Sequence, residues 1–231
     1  MRSVLRIIIL LLFSFSLFSQ QNHKTKIGLV LSGGGAKGFA HIGTLQVMDS
    51  LGIRPDFIVG TSMGGIVGAL YSIGYTGKEI EELANRTDWT ELFTDTPPRD
   101  LLPHFIKKNL GKYQVEFGLK GITPVVPSGI IQGQKITQLF TKLALDYENA
   151  TNFDSLPIPL RCVAVDVVSG KEIILSKGPL SKAMRATMSI PTVFSPVEWD
   201  DYILLDGGIL NNFPVDIAKK ILGEKLFEKV I

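Results

Sequence analysis

The chain has 231 residues, of which 45% are hydrophobic and 20% are charged, as expected for a globular protein with one large domain or two small ones. Its formal net charge of +2 is too small to indicate a nucleic-acid-binding protein. The single cysteine, Cys162, excludes an intrachain disulfide, and no cluster of cysteine and histidine predicts a metal site. The apolar neighbours of Cys162, among them Leu160 and Val163, predict a buried thiol on a strand.

Residues 1–20 have the layout of a secretory signal peptide. Arg2 and Arg6 precede an apolar run over residues 7–18, and Ser19 is a small residue suited to a cleavage site. The apolar run is shorter than the roughly 20 residues that a membrane-spanning helix needs, which leaves an uncleaved anchor as the alternative. We therefore expect an exported protein, in the periplasm, at the outer membrane or outside the cell, with its folded domain over residues 26–231.

The folded part begins with alternating strands and helices. Residues 27–31 form a continuous apolar run, which indicates a strand covered on both faces, as in a parallel sheet. A glycine-rich loop at 32–38, a helix at about 39–51 and a strand at 56–59 follow, and this β-α-β start is typical of an α/β fold. The later predicted elements are, in order, helices at 63–73 and 76–87, an irregular segment at 88–128, a helix at 129–145, a strand at 160–168 with an antiparallel partner at 172–176, a helix at 180–188, a strand at 202–205 and an amphipathic helix at 213–230.

The segment GTSMG at residues 60–64 lies between a predicted strand and a predicted helix, the context in which this pattern indicates a nucleophile elbow. Gly60 and Gly64 lack the Cβ atoms that would collide in so sharp a turn. Ser62 would stand at the helix N-terminus, whose unpaired N–H groups favour negative charge. Ser62 is therefore the candidate nucleophile, and the alternative is a surface turn that happens to contain a serine.

The glycine-rich loop allows two interpretations. Its spacing, with Gly33, Gly35 and Gly38, matches a dinucleotide-binding fingerprint, but that fingerprint needs an acidic residue at the end of the second strand, where Gly60 stands. The other interpretation is an oxyanion hole, because consecutive glycines let backbone N–H groups converge on the negative charge of an acyl-transfer transition state. The second interpretation fits a serine on the neighbouring strand end.

The base that would activate Ser62 is predicted to be a carboxylate. The α/β-hydrolase order of serine, acid and histidine needs a histidine after the acid, yet none follows Asp206. Asp206 ends a predicted strand, so we expect it at the same sheet edge as Ser62, with partial desolvation making its carboxylate more basic. The alternative is an ordinary turn aspartate. The histidines are His23 beside the signal, His41 as a loop-orienting group, and His104 as a minor candidate base.

Together these segments resemble the signatures of the patatin-like phospholipase family: GGGAKG at 33–38, GTSMG at 60–64 and DGG at 206–208, with a further similar block at 185–194. The resemblance covers about residues 26–220. It implies a three-layer α/β/α sandwich with a mostly parallel central sheet, no metal or other cofactor, and hydrolysis of fatty-acyl esters of phospholipids and related lipids by a Ser–Asp dyad.

Carried over by position, the resemblance implies that Ser62 is the nucleophile and Asp206 the base. The N–H groups of Gly34 and Gly35, together with that of Met63, would form the oxyanion hole. Lys37 would steer a substrate phosphate or cap the loop. The signature glycines are Gly33, Gly35, Gly38, Gly60, Gly64, Gly207 and Gly208.

Members of the family usually continue beyond the helix that follows the DGG segment, whereas this sequence ends at Ile231, so we expect a C-terminally shortened domain. Besides a lipid acyl hydrolase, the same dyad leaves open an acyltransferase or thioesterase. The early C-terminus leaves open an inactive lipid-binding or secretion-linked remnant. The expected partner is a phospholipid or another acyl-ester lipid, with contact at a membrane surface. Apolar residues of the irregular segment are expected to line an acyl channel, contact lipid or cover the core: Leu101, Leu102, Phe105, Ile106, Val125, Val126, Ile130 and Ile131.

Overall fold

A computed structural model of the protein describes residues 26–94, 102–104, 118–120, 123–125, 129–149 and 152–223. The strands are β1 (Gly28–Leu31), β2 (Phe57–Thr61), β3 (Gly118–Lys120), β4 (Thr123–Val125), β5 (Gly129–Ile131), β6 (Leu160–Asp166), β7 (Lys171–Leu175), β8 (Thr192–Phe194), β9 (Val197–Trp199) and β10 (Tyr202–Asp206). The α-helices are α1 (Ala40–Ser50), α2 (Met63–Ser72), α3 (Gly77–Arg86), α4 (Trp89–Leu92), α5 (Gln134–Leu143), α6 (Leu180–Thr187) and α7 (Val215–Leu222). Short 3-10 helices cover Gly35–Phe39, Leu145–Tyr147, Phe153–Ser155 and Gly207–Ile209.

The central sheet combines a parallel part with antiparallel strands. β1, β2 and β6 are parallel neighbours. β7 and β10 both pair with β6 in the antiparallel direction, and β9 pairs with β10. The parallel strands β1 and β2 lead directly into the glycine-rich loop and the GTSMG segment, so this part of the sheet positions both motifs.

The carboxyl-terminal ends of β2 and β10 meet end to end beside β6. β2 pairs with residues 160–163 of β6, β10 with residues 164–166, and β7 with residues 162–166. Because a strand has only two edges and β7 occupies one of them, β2 and β10 share the other. Thr61 lies opposite Val163, and Asp206 lies opposite the next residue, Ala164. Asp206 therefore lies beside Ser62, as expected of a residue that ends a strand, and it does so because two strands meet head to head.

Side chains alternate between the two faces of the sheet, and helices cover both faces. Leu29, Leu31 and Ile58 belong to a large core cluster that includes buried residues of α1, α2, α3, α5 and α6. Val30 and Val59 belong to a second cluster, which packs against Ile217 and Ala218 of α7. Burial on both faces explains the continuous apolar runs in the sequence. The predicted α/β/α sandwich is confirmed.

One predicted helix is wrong at its start. Residues 129–131 form β5, which pairs with β8, and α5 begins only at Gln134. Gly133 adopts a left-handed conformation with φ 77°, which separates the strand from the helix. β8, the partner of β5, ends at Phe194.

No helix in the described ranges is both long and apolar enough to cross a membrane. The proposed signal segment lies outside the described residues.

Cys162 is fully buried in β6, as predicted, and burial raises the pKa of its thiol to about 12. We expect no reaction with a thiol-reactive disulfide reagent in the native protein at mildly alkaline pH, because the thiolate is the reactive form. One equivalent should react after unfolding in guanidinium chloride. Rapid labelling of the native protein would contradict this burial.

Candidate active site

Ser62 occupies a strained turn between β2 and α2. Its φ is 54° and its ψ is −125°, a conformation that side chains other than glycine rarely adopt. A Cβ on Gly60 would overlap the Gly64 carbonyl, and a Cβ on Gly64 would overlap the Leu31 carbonyl. The two glycines thus let β2 turn directly into α2, the geometry expected of a nucleophile elbow.

Thr187, at the end of α6, connects the elbow to β6 through two hydrogen bonds. The backbone N–H of Ser62 donates to Thr187 Oγ1 at 2.9 Å, and the Thr187 hydroxyl donates to the Val163 carbonyl at 2.6 Å. Thr187 is completely buried. Since the Ser62 N–H is engaged in this way, it does not point into the site as an oxyanion donor. Thr187 was not predicted as a site residue, although it lies in the segment RATMSIP at residues 185–191, which we call the RATMSIP block and which belongs to the block at 185–194 that supported the family resemblance.

Replacing Thr187 with valine should lower the free energy of unfolding by about 1–3 kcal/mol, because the shape is kept while the Ser62 N–H and the Val163 carbonyl lose a buried partner. Urea unfolding followed by circular dichroism measures the loss. Thr187→Ser is the matched control, since it keeps the hydroxyl and should retain most of the stability. Equal midpoints for the two variants would show that this bridge contributes nothing.

Ser62 and Asp206 are joined directly. The Ser62 hydroxyl donates to Asp206 Oδ2 at 2.6 Å, and the Gly208 N–H donates to Asp206 Oδ1 at 2.7 Å. Both side chains are largely shielded, with residue exposures of 6% for Ser62 and 5% for Asp206. Burial raises the pKa of Asp206, and the bonds from Ser62 and Gly208 oppose the rise. The result is a carboxylate more basic than an exposed aspartate, in contact with the serine hydroxyl.

The segment that follows α6 fixes the backbone of Asp206. The Asp206 N–H donates to the Ser189 carbonyl at 2.9 Å. The Ser189 side chain accepts a hydrogen bond from Arg185 at 2.6 Å and donates one to the Arg185 carbonyl at 2.9 Å. Arg185 is only 4% exposed and also donates to the carbonyls of Gln132 and Ser195. The second half of the RATMSIP block therefore positions the carboxylate, as its first half positions the serine.

Two asparagines connect the DGG segment to the other motifs. The Gly33 N–H donates to the Asn212 carbonyl at 3.0 Å, and the Asn212 side-chain amide donates to the Gly33 carbonyl at 3.3 Å. The Thr61 hydroxyl donates to the Asn211 carbonyl at 2.9 Å. Neither asparagine was predicted as a site residue, although two consecutive asparagines shortly after a DGG segment are visible in the sequence. They bind the glycine-rich loop, the elbow and the DGG segment into one unit.

The glycine-rich loop presents backbone N–H groups beside Ser62. Gly35 and Met63 line the same cavity as Ser62, and Gly35 has a φ of 52°. No hydrogen bond connects the N–H of Gly34 or Gly35 to an acceptor in the described part of the chain. His41 donates from Nε2 to the Ser32 carbonyl at 2.9 Å, which makes it a loop-orienting group, as expected. Of the residues proposed for the oxyanion hole, Gly35 and Met63 thus line the cavity at Ser62, whereas Gly34 does not line it.

Ser62 opens into an apolar cavity of about 300 Å³. Apart from Ser62 itself, its side chains are apolar, and four aromatic rings form one side of it. The ring centroids of neighbouring pairs lie 5.4, 6.1 and 5.8 Å apart along the series Phe39, Trp89, Phe93 and Phe194. The other lining residues are Gly35, Ala36, Met63, Ile66, Met188 and Ile190. This composition suits a hydrocarbon chain.

Other candidates lie elsewhere or outside the described residues. His104 is exposed, and no hydrogen bond among the described residues joins it to Ser62. Lys37 is exposed on the 3-10 helix that follows the glycines. His23, Leu101, Phe105, Ile106 and Val126 lie outside the described residues, so the acyl channel expected there stays a prediction. No cluster of three potential metal ligands occurs within the described ranges.

The sequence that builds this site matches a known protein family. A sequence model of the patatin-like phospholipases matches residues 29–219, which include all three motifs. The chain belongs to the patatin-like phospholipase family. The matched range includes the glycine-rich, GTSMG and DGG segments, which meet at Ser62, and it also spans the RATMSIP block.

Members of this family with similar sequences are longer than this chain. An uncharacterised NTE family protein of Mycobacterium tuberculosis is 32% identical over 190 residues, which are 82% of this chain and 44% of that protein. Patatin-like phospholipase domain-containing protein 6 of Mus musculus is 28% identical over 202 residues, which are 84% of this chain and 13% of that protein. The chain therefore spans less than half of the length of these relatives.

The crystal structure of VipD from Legionella pneumophila has the same fold. It superposes with a TM-score of 0.52 at 18% identity, covering 82% of this chain and 47% of VipD. This likeness supports the patatin-like architecture of the described residues.

Proposed function

We propose that this protein is a serine lipid acyl hydrolase that cleaves fatty-acyl esters through an acyl-enzyme on Ser62. The observation that carries the proposal is the 2.6 Å hydrogen bond between Ser62 and Asp206 at the mouth of the apolar cavity. A nucleophile, a base and a hydrocarbon-sized space meet at one point. Membership of a family of phospholipases supports the same reaction class.

In the acylation step, Asp206 Oδ2 takes the proton of the Ser62 hydroxyl as Oγ attacks the ester carbonyl carbon. The carbonyl oxygen becomes negatively charged, and the N–H groups of Gly34, Gly35 and Met63 are the proposed donors to it. Collapse of this tetrahedral intermediate breaks the ester C–O bond. Asp206 returns its proton to the departing alcohol oxygen, which leaves an acylated Ser62.

In the deacylation step, Asp206 takes a proton from a water molecule as that water attacks the acyl carbon. Collapse of the second tetrahedral intermediate breaks the bond between the acyl carbon and Ser62 Oγ and releases the fatty acid, while Asp206 returns the proton to Ser62 Oγ. An aspartate is a weak base in water, with a reference pKa near 3.9. The raised pKa of Asp206 and the positive end of α2 near the oxyanion therefore both favour the reaction.

The substrate that we propose is a phospholipid or another acyl-ester lipid, bound with its acyl chain among the aromatic rings of the cavity. Lys37, exposed beside the glycine-rich loop, is the proposed contact for a phosphate head group. We also propose contact with a membrane surface, and export directed by residues 1–20, which places the enzyme in the periplasm, at the outer membrane or outside the cell.

A fluorophosphonate probe tests the proposal, because it reacts covalently with an activated serine. We expect one equivalent on the peptide that contains Ser62, identified by mass spectrometry, together with release of fatty acid from phospholipids or neutral glycerides. Labelling without hydrolysis, but with transfer to an added alcohol or thiol, would identify an acyltransferase instead. No labelling of folded protein would overturn the enzyme proposal and favour an inactive lipid-binding remnant.

A further inference from the structure

A second, smaller cavity adjoins the cavity at Ser62. Its volume is about 30 Å³, and its lining is apolar apart from Thr87. It extends among side chains of α2, α3 and α5, including Leu70, Ile80 and Leu143. Four residues line both cavities, and we call them the shared wall: Phe39, Met63, Ile66 and Trp89.

Both cavities follow one face of α2. Met63, Ile66, Val67 and Leu70 have the i, i+3, i+4, i+7 spacing of residues that share a helix face. Met63 and Ile66 line the Ser62 cavity, whereas Val67 and Leu70 line only the second one. With a rise of 1.5 Å per residue, this face runs about 10 Å from Met63 to Leu70. An acyl chain that leaves Ser62 along α2 therefore meets the shared wall before it reaches the second cavity.

The shared wall is held in place from several sides. The Trp89 indole N–H donates to the Ala84 carbonyl at 2.9 Å, and the Phe39 ring packs on the indole. Ile66 is 7% exposed and is stiff because it is β-branched. Met63 is the one unbranched, flexible member. A hydrocarbon chain that passes the shared wall must displace at least one of these four side chains.

We propose that the shared wall limits the length of the acyl chain that the Ser62 site accepts, with Ile66 as the specificity-determining residue. This inference rests on the proposed function. A chain that ends at the wall gains favourable burial with each added methylene, whereas a longer chain must leave its end in water or displace the wall. When the Ile66 side chain is truncated, a longer acyl chain can extend into the second cavity.

The test compares kcat/KM for p-nitrophenyl butyrate, octanoate and dodecanoate, each kept below the concentration at which the ester aggregates. In the wild type we expect octanoate to be preferred over dodecanoate. Ile66→Ala should raise the dodecanoate-to-octanoate ratio by about fourfold for each methylene newly buried, hence about tenfold or more in total. Adding Ala84→Leu, which refills the second cavity without changing the Ala84 carbonyl, should reverse that gain.

Leu45→Ala is the matched control, because Leu45 is fully buried in α1 and loses the same number of carbons, yet lines neither cavity. Active sites are counted with the fluorophosphonate, so unfolded protein does not enter kcat. Ile66→Val should raise the dodecanoate-to-octanoate ratio by a smaller factor, and it replaces Ile66→Ala in the test if that variant does not fold. An unchanged ratio in a folded Ile66 variant, or an equal change in Leu45→Ala, overturns the inference while wild-type turnover upholds the proposed function. Absence of both labelling and turnover in the wild type overturns both.

Discussion

Ser62→Ala is expected to lower kcat for ester hydrolysis by about 10⁴-fold or more, because removing a serine nucleophile eliminates the acyl-enzyme route. The alanine retains the Cβ, so it keeps the strained backbone and the bond from the residue-62 N–H to Thr187. Fatty-acid release and fluorophosphonate labelling measure the effect. Both should vanish while the unfolding midpoint stays close to that of the wild type.

Ser72→Ala is the control for this substitution. Ser72 is also buried in α2, but its hydroxyl donates to the Ala69 carbonyl and it lines neither cavity. It should retain both labelling and turnover. Hydrolysis by Ser62→Ala at a rate near that of the wild type would show that another group performs the chemistry.

Asp206→Asn is expected to lower kcat by about 10²–10⁴-fold, the range that general-base catalysis contributes. Asparagine has almost the same shape and can still accept the Gly208 N–H, but it cannot take the Ser62 proton. The variant should nevertheless be more stable than the wild type at neutral pH, by on the order of 1 kcal/mol, because it removes a buried charge. Activity assays and urea unfolding test the two effects on the same preparation.

The sign of the pH dependence follows from the raised pKa of Asp206. The folded state binds the Asp206 proton more tightly than the unfolded state does. Ionisation of Asp206 therefore lowers the free energy of unfolding of the wild type only at pH values above the unfolded pKa. The stability advantage of Asp206→Asn should thus be present at neutral pH and disappear as the pH falls below the unfolded pKa, where the carboxyl is protonated in both states. Catalysis by the wild type needs the ionised form, so kcat/KM should fall as the pH drops through the raised pKa. A stability difference that grows on acidification would contradict this assignment.

Asp166→Asn is the matched control, because Asp166 also ends a strand but its surroundings lower its pKa, whereas those of Asp206 raise it. Hydrogen bonds from the Ser169 hydroxyl and from the N–H groups of Ile203 and Ser169 lower the pKa of Asp166 to about 2. Its ionised form therefore stabilises the fold above the unfolded pKa, and this contribution is lost as the pH falls towards 2. Asp166→Asn should lower stability at neutral pH and keep activity, the reverse of Asp206→Asn.

The sequence determined much of the site because its motifs depend on local geometry. A serine flanked by Gly60 and Gly64 between a strand and a helix carries the backbone requirements of an elbow in one short segment. Because no histidine follows Asp206, the sequence favours a carboxylate as the base that activates Ser62. Apolar runs of strand length and helical periodicity, which depend on burial at each position, predicted five of the ten described strands and six of the seven described α-helices. The error at residues 129–131 arose where an apolar run fits either type of element.

Tertiary structure alone decided how these parts meet. The antiparallel direction of β10, and its place beyond the end of β2 along one edge of β6, depend on strand pairing between residues far apart in sequence. This pairing brings Asp206 to Ser62, 144 residues away, through two strands that meet head to head, whereas no sequence pattern predicted a direction for the strand that ends at Asp206. The same holds for Thr187, which binds the elbow, and for the aromatic side of the cavity, whose rings come from separate segments. The contacts of Thr187 and of the aromatic rings depend on how distant segments pack together, which a local sequence pattern does not predict.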